Sequence, residues 1–301
     1  MPRTGSRSTS KAGAVACPPV WVVSFPGLVP YREAWDLQRR LWAARHEGRI
    51  PDTLLFLEHE PVVTLGKNAR RENLLLDAEG FRSRGVEVVE VDRGGDVTWH
   101  GPGQLVGYWI FDLRALYQDV HRYLREIEDV LIRVLARHRI EAGRAAGATG
   151  VWVGNEKVAA IGMHLSHWVS THGFALNLDP DLVAFSWIVP CGLRGRGVTS
   201  MRIQTGELVS RMEVEREVVG EMARLFGREP HDLRPHELLE LLADAEVSGQ
   251  EESKGPRRMQ GQVHAPHAGG GTPAVPGPEL RNDGPGAELG NSGWRGAECR
   301  A

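Results

Sequence analysis

Apolar residues along the chain fall into two kinds of pattern. Short runs of Val, Ile, Leu and aromatic residues, each bounded by Gly, Pro, Asn or Asp, predict strands over Val20–Phe25, Thr53–Leu57, Val62–Leu65, Val86–Val91, Leu105–Phe111, Val151–Val153, Val158–His164 and Phe174–Leu178. Three- and four-residue repeats instead predict helices. One covers Tyr31–Arg45, where Tyr31, Trp35, Gln38, Leu41, Trp42 and Arg45 share a face; others cover Asp119–His138 and Leu208–Phe226, with a short terminal helix over Pro235–Ala245. Strands arrive in clusters with helices between the clusters. That favours an α+β fold, a mixed sheet flanked by helices, over a doubly wound one.

The periodic part forms one block. No internal repeat and no Gly/Ser linker interrupts it, so residues 19–247 are expected to form a single domain. Residues 1–18 are polar, and residues 248–301 are rich in glycine, proline and charge without periodic apolar positions; both are expected to be disordered tails.

Composition narrows the function. The chain has 301 residues, 41% of them hydrophobic, enough to bury a full core. With 36 Lys+Arg against 39 Asp+Glu, the whole-chain balance gives no electrostatic footprint for nucleic acid or for an anionic membrane. No apolar run approaches the roughly 20 residues that span a bilayer. The first residues carry Arg3, Arg7 and Lys11 but no apolar signal core; an organelle transit peptide stays open as an alternative. Cys17, Cys191 and Cys299 are far apart and lack CxxC spacing, so neither a disulfide framework nor a zinc site is expected. A reducing, cytoplasmic location fits that usage best.

Three segments carry candidate chemistry. Arg93-Gly94-Gly95-Asp96-Val97-Thr98-Trp99-His100-Gly101-Pro102-Gly103-Gln104 places four glycines and a proline between two apolar strands. Glycine lets a ligand approach the backbone, while Arg93, Thr98 and His100 supply polar contacts. A bulged hairpin is the plainer alternative. Lys157 follows the turn Gly154-Asn155-Glu156 and opens a strand beside the small residues Ala159, Ala160 and Gly162, which leave room for something to lie against it. Cys191 sits between Pro190 and Gly192, in a turn. A thiol exchanges one thioester for another of similar energy, provided a cationic or basic neighbour favours the thiolate. Lys157 could be that neighbour; His164, His167 and His172 offer a competing Cys–His pair.

Taken together, RGGDVTWHGPGQ at 93–104, GNEKVAAIG at 154–162, HGFALNL at 172–178 and PCGLRGRGVTS at 190–200 closely resemble the lipoyl(octanoyl) transferases, in order and in spacing. The resemblance covers about Val20 to Phe226. It implies the α+β fold of the biotin and lipoate protein ligases, and neither metal nor other cofactor. It implies an acyltransferase that takes octanoyl from octanoyl-acyl carrier protein. The implied acceptors are lysines of lipoyl domains, in 2-oxoacid dehydrogenase E2 subunits and in the glycine-cleavage H protein. Carried over by motif, the substrate-binding residues are Arg93, Gly94, Gly95, Asp96, Val97, Thr98, Trp99 and His100, then Ala160, Ile161 and Gly162, then Gly173, Phe174 and Ala175. Cys191 is the implied nucleophile and Lys157 the residue that lowers its pKa. The run Leu193-Arg194-Gly195-Arg196-Gly197 is more basic than the family pattern, and the long C-terminal tail has no counterpart in it.

The implied cycle is ping-pong through a Cys191 thioester, with Lys157 serving both half-reactions. Rival readings are an ATP-dependent lipoate or biotin ligase, a thioesterase, and a non-catalytic acyl-binding protein. Cys191 argues against the ligase, and binding alone requires neither Cys191 nor Lys157.

Overall fold

The apolar runs form the middle of a sheet that is buried on both faces. The structure is a computed structural model, and it describes residues 17–190 and 195–253. Chain order is β1 (Pro19–Val29), α1 (Tyr31–His46), β2 (Asp52–His59), β3 (Val62–Leu65), α2 (Ala78–Arg82), β4 (Glu87–Glu90), β5 (Val97–His100), β6 (Gln104–Ile110), α3 (Val120–Arg137), β7 (Gly143–Ala145), β8 (Ala148–Val153), β9 (Glu156–Ser166), β10 (Val169–Asn177), β11 (Gly197–Val198), α4 (Met201–Thr205), α5 (Arg211–Phe226), β12 (Glu229–Leu233) and α6 (Pro235–Ser253). The main sheet runs β12-β1-β2-β6-β10-β9-β8-β7, with β11 added to β9. The β12–β1, β1–β2 and β9–β11 pairs are parallel and the rest antiparallel, so the sheet is mixed.

Alternation along each strand assigns the layers. On β2, Leu54 and Phe56 join α3 and α5 in one core, while Leu55 and Leu57 join α1 and α6 in the other. Burial on both faces explains why β2 reads as a continuous apolar run rather than an alternating one. A second sheet, β4-β3-β5, packs its own apolar face against α2 and residues 182–187. It leaves Thr64, Thr98 and His100 buried as polar groups.

Several elements depart from the sequence expectation. β3 matches residue for residue, but β5 lies inside the glycine-rich segment that read as a loop. Strands β7, β11 and β12 and helices α2 and α4 were not anticipated. The terminal helix runs to Ser253, past both Ala245 and the expected tail boundary at 248. Residues 1–16 and 254–301 lie outside the described residues. Cys17 is disulfide-bonded, where cysteine spacing gave no framework.

Candidate functional site

Four strands bring most of the carried-over residues to one cavity. The register places Val106 beside Ala175 and Tyr108 beside Gly173 between β6 and β10; between β10 and β9 it places Ala175 beside Ala160 and Gly173 beside Gly162. These rows form a strip of small side chains on the main sheet. Thr98 and His100 of β5, with Arg93 to Asp96, line the cavity as well. Tyr31, at the start of α1, and His172 complete it.

Two glycines are required by close approach. A Cβ on Gly173 would lie 2.1 Å from the Gly107 carbonyl oxygen, and one on Gly162 would lie 2.9 Å from that of Gly94. The glycine-rich segment therefore lies directly on β9, and the Gly94 N–H donates to the Met163 carbonyl at 2.8 Å.

The carried-over run 93–100 divides by role. Arg93 is buried and donates to the Thr64 carbonyl and hydroxyl, both at 2.8 Å, and to the Gly94 carbonyl at 3.0 Å, so it braces the segment against β3. The Asp96 carboxylate accepts from Asn73 Nδ2 at 2.6 Å and from the Arg70 and Val97 backbone at 3.0 and 2.8 Å. Thr98 and His100 line the cavity; Val97 and Trp99 do not, because strand alternation turns them into the core with Phe185. Gly94, Gly95, Ala160, Ile161, Gly162, Gly173, Phe174 and Ala175 all line it.

Tyr31, Val106 and Tyr108 are cavity residues that the sequence reading missed. They come from separate elements, and only register and packing bring them together. Tautomers at this end follow from partner chemistry. His59 Nδ1 donates to the Val29 carbonyl at 2.8 Å, so Nε2 accepts from the Tyr108 hydroxyl at 2.6 Å. Burial holds His59 down to about 4, lowers His100 well below its ordinary value, and raises both tyrosines. The cluster is neutral at physiological pH, and the Tyr108 hydroxyl is turned toward His59.

His172 adopts a left-handed backbone, φ 60°, within β10. For a residue with a Cβ that conformation is strained, and such strain gathers at functional sites. Its N–H donates to Gln38 Oε1 at 2.7 Å, and its Nε2 donates to Asp92 at 2.8 Å. That hydrogen bond holds the Asp92 carboxyl down to about 2, while burial lowers His172.

Lys157 is at the opposite end. It is 7% exposed, not the solvated turn residue that a lysine at a strand start usually is. It shares a small adjoining cavity with Gln104, Asn177, Phe185, Pro190 and Val198, and the two cavities meet at Thr98, Ala160 and Ala175. A relay ties this end to His100: His100 Nδ1 donates to Gln104 Oε1 at 2.7 Å, Gln104 Nε2 to Asn177 Oδ1 at 2.9 Å, and Asn177 Nδ2 to the Thr199 carbonyl at 2.9 Å. The Thr199 N–H then donates to the Lys157 carbonyl at 3.0 Å. His164, His167 and His172 do not line this smaller cavity. Cys191 lies outside the described residues; Pro190 before it lines the cavity, and Val198 after it pairs with Lys157. Among the described residues, no group of three or more His, Cys, Asp and Glu could hold a metal ion, and no helix is long and apolar enough to cross a membrane.

Comparison with known proteins adds a family. Residues 30–223 match the lipoyl protein ligase A/B catalytic domain. The chain is 51% identical over 204 residues to an octanoyltransferase of Rubrobacter xylanophilus, covering 67% of this chain and 91% of that one. It is 52% identical over 204 residues to one of Gloeobacter violaceus, covering 67% and 88%. With one of Caldicellulosiruptor bescii it shares 46% over 222 residues, covering 73% and 97%. A solved lipoate-protein ligase A bound with ATP superposes with a TM-score of 0.58 at 16% identity, covering 75% of this chain and 93% of that one. A bipartite lipoate protein ligase from Thermoplasma acidophilum gives 0.57 at 15%, covering 80% and 95%. At these identities the solved structures speak to the fold alone.

Proposed function

Because the chain belongs to the octanoyltransferases of the lipoyl protein ligase A/B catalytic-domain family, acyltransferases by name, we propose that it takes octanoyl from octanoyl-acyl carrier protein, holds it as a thioester on Cys191, and passes it to a lysine of a lipoyl domain. Lipoyl domains of 2-oxoacid dehydrogenase E2 subunits and the glycine-cleavage H protein are the acceptors in this reading. One observation carries it: a buried lysine lines a small cavity that meets, at Thr98, Ala160 and Ala175, a second one lined by small residues of three strands, over a stretch of sheet long enough for eight carbons. From Gln104 to Tyr108 is four residues of extended strand, about 13 Å. An extended octanoyl chain, seven C–C bonds of about 1.5 Å in zigzag, spans about 9 Å. The chain lies along Ala160, Ala175 and Gly173 toward Tyr108, with its carbonyl near Lys157.

In the first half-reaction the Cys191 thiolate attacks the thioester carbonyl, and the carrier's thiolate leaves with a proton from the Lys157 ammonium. In the second, the neutral Lys157 amine takes a proton from the incoming lysine ammonium. The freed amine attacks the enzyme thioester, the Cys191 thiolate is expelled, and the second amine proton goes to solvent. An amide and the starting enzyme result. Arg93 and Asp96 shape the segment facing the acyl chain, and Tyr31 and Tyr108 close its far end, with the Tyr108 hydroxyl committed to His59.

The test mixes the enzyme with octanoyl-acyl carrier protein, without ATP or metal, and follows intact mass. One octanoyl group should appear on the wild type and none on Cys191→Ser. Hydroxylamine should remove it, and a lipoyl domain should receive it on mixing. Transfer only when ATP and free octanoate are supplied would overturn the reading in favour of a ligase. Rapid release of free octanoate with the acceptor present would overturn it in favour of a thioesterase.

A further inference from the structure

Resting on that reading of Lys157, we propose that Trp152 is a positioning residue that gathers two cations, Lys157 and Arg196, beside the reacting centre. Trp152 lies on β8 directly across from Lys157 on β9. Its neighbour Val151 points into the apolar core, and alternation turns Trp152 to the other face. There it is buried, yet it belongs to none of the apolar clusters among the described residues. What lies over the indole is charge. Lys157 Nζ is 4.8 Å from the ring centroid and Arg196 Cζ is 4.7 Å from the same centroid.

Register delivers Arg196 to that ring. Gly197 pairs with Glu156 and Val198 with Lys157, while Asn155 Nδ2 donates to the Gly195 carbonyl at 3.1 Å. Arg196 therefore sits just before β11, between Gly195 and Gly197, each of which is held to the 155–156 turn. It belongs to the basic run Leu193–Gly197, which the acyl-transfer reading leaves without a role.

Indole is the best of the aromatic cation acceptors, and it holds an ammonium or guanidinium without neutralising it, as a carboxylate would. Two positive charges on one ring repel each other in the resting protein. The arrangement becomes favourable when negative charge arrives beside it, first as the Cys191 thiolate and then as the oxyanion of each tetrahedral intermediate. Trp152 touches neither acyl group nor nucleophile in this scheme. It acts by fixing where the Lys157 ammonium points, and Arg196 adds a charge that takes no part in proton transfer.

Single-turnover acylation by octanoyl-acyl carrier protein tests this, with thermal melting of each variant: wild type, Trp152→Phe, Trp152→Leu, Arg196→Gln, Trp152→Leu with Arg196→Gln, and Lys157→Ala. Trp152→Leu should slow acylation about tenfold at saturating carrier, leaving the half-saturating concentration unchanged, whereas Trp152→Phe keeps a π face and stays within about threefold. Arg196→Gln should slow it about threefold, and the double variant should be no slower than Trp152→Leu alone, since the arginine acts through the ring. If Trp152→Leu does not fold, Arg196→Gln decides. Wild-type acylation in Arg196→Gln or in a folded Trp152→Leu, with Lys157→Ala slow, would overturn the cation platform and leave the Lys157 reading standing. Wild-type acylation in Lys157→Ala would overturn both.

Discussion

Single side chains divide into those that line the larger cavity, proposed to take the acyl chain, and those proposed to act at its mouth. Lys157→Ala should slow acylation of Cys191 by about 100-fold or more, the usual scale for losing a general acid or base. Carrier half-saturation should move little, because the lysine shares the reacting end rather than the channel; pre-steady-state mass measurement reads both. His59 makes a separate prediction, about stability. Its folded pKa is about 4, below the ordinary value of 6.5, because burial penalises the charged ring. The stability this contributes is fully present above pH 6.5, where both folded and unfolded rings are neutral. It is lost as pH falls from 6.5 toward 4, where only the unfolded chain binds the proton, and a shift of this size corresponds to about 3 kcal/mol. His100 and His172, both lowered by burial, act in the same direction. Urea midpoints should therefore fall steeply across that window in the wild type and less steeply in His59→Gln. Parallel pH profiles would show that His59 is not the group responsible.

Strands, rather than loops, make the channel. Ala160 lies where the two cavities meet, on a strip that β6, β10 and β9 build from small side chains. Ala160→Leu adds three carbons there, so octanoyl acylation should fall at least tenfold while butanoyl acylation stays within about threefold, since each displaced methylene is worth about 0.8 kcal/mol. Octanoyl acylation at the wild-type rate in a folded Ala160→Leu would place the acyl chain elsewhere. This strip also shows what the sequence could reveal. β3 was legible to the residue because Val62–Leu65 is a short apolar run between turn formers, and Lys157 was correctly read at the opening of a strand. β5 was not, because four strand residues with glycines on both sides carry too little pattern; its pairing with β3 makes it a strand. Glu229–Leu233 is polar and mostly exposed, and only parallel pairing with β1 identifies it as β12. The segment 93–100 stood out in the sequence, but which of its residues line the cavity did not. Val97 and Trp99 alternate into the core, and Tyr31, Val106 and Tyr108 reach the cavity from distant parts of the chain.

At the scale of the whole molecule, the question is where the folded unit ends. The composition change near residue 248 suggested a boundary there, but α6 crosses it. Leu238 and Leu242 are fully buried in the layer with α1 and β2, worth about 2 to 3 kcal/mol each. Arg40 pairs with Glu246, and the Arg49 side chain lies against Gly249, where a Cβ would come within 2.9 Å of the guanidinium carbon. Two truncations should therefore behave differently. Ending the chain at Ser253 removes a glycine- and proline-rich stretch without periodic apolar residues, and should leave melting temperature and transfer rate within error of the full chain. Ending it at Leu233 removes both buried leucines and uncovers one face of β1 and α1, and should cost several kcal/mol in urea unfolding and most of the soluble yield. Because α1 begins with Tyr31 at the far end of the cavity proposed for the acyl chain, the second truncation should also impair octanoyl transfer in whatever protein remains folded. A Leu233 truncation with unchanged stability would mean that α6 is not part of the core, whereas a Ser253 truncation with lost activity would assign a working role to residues 254–301.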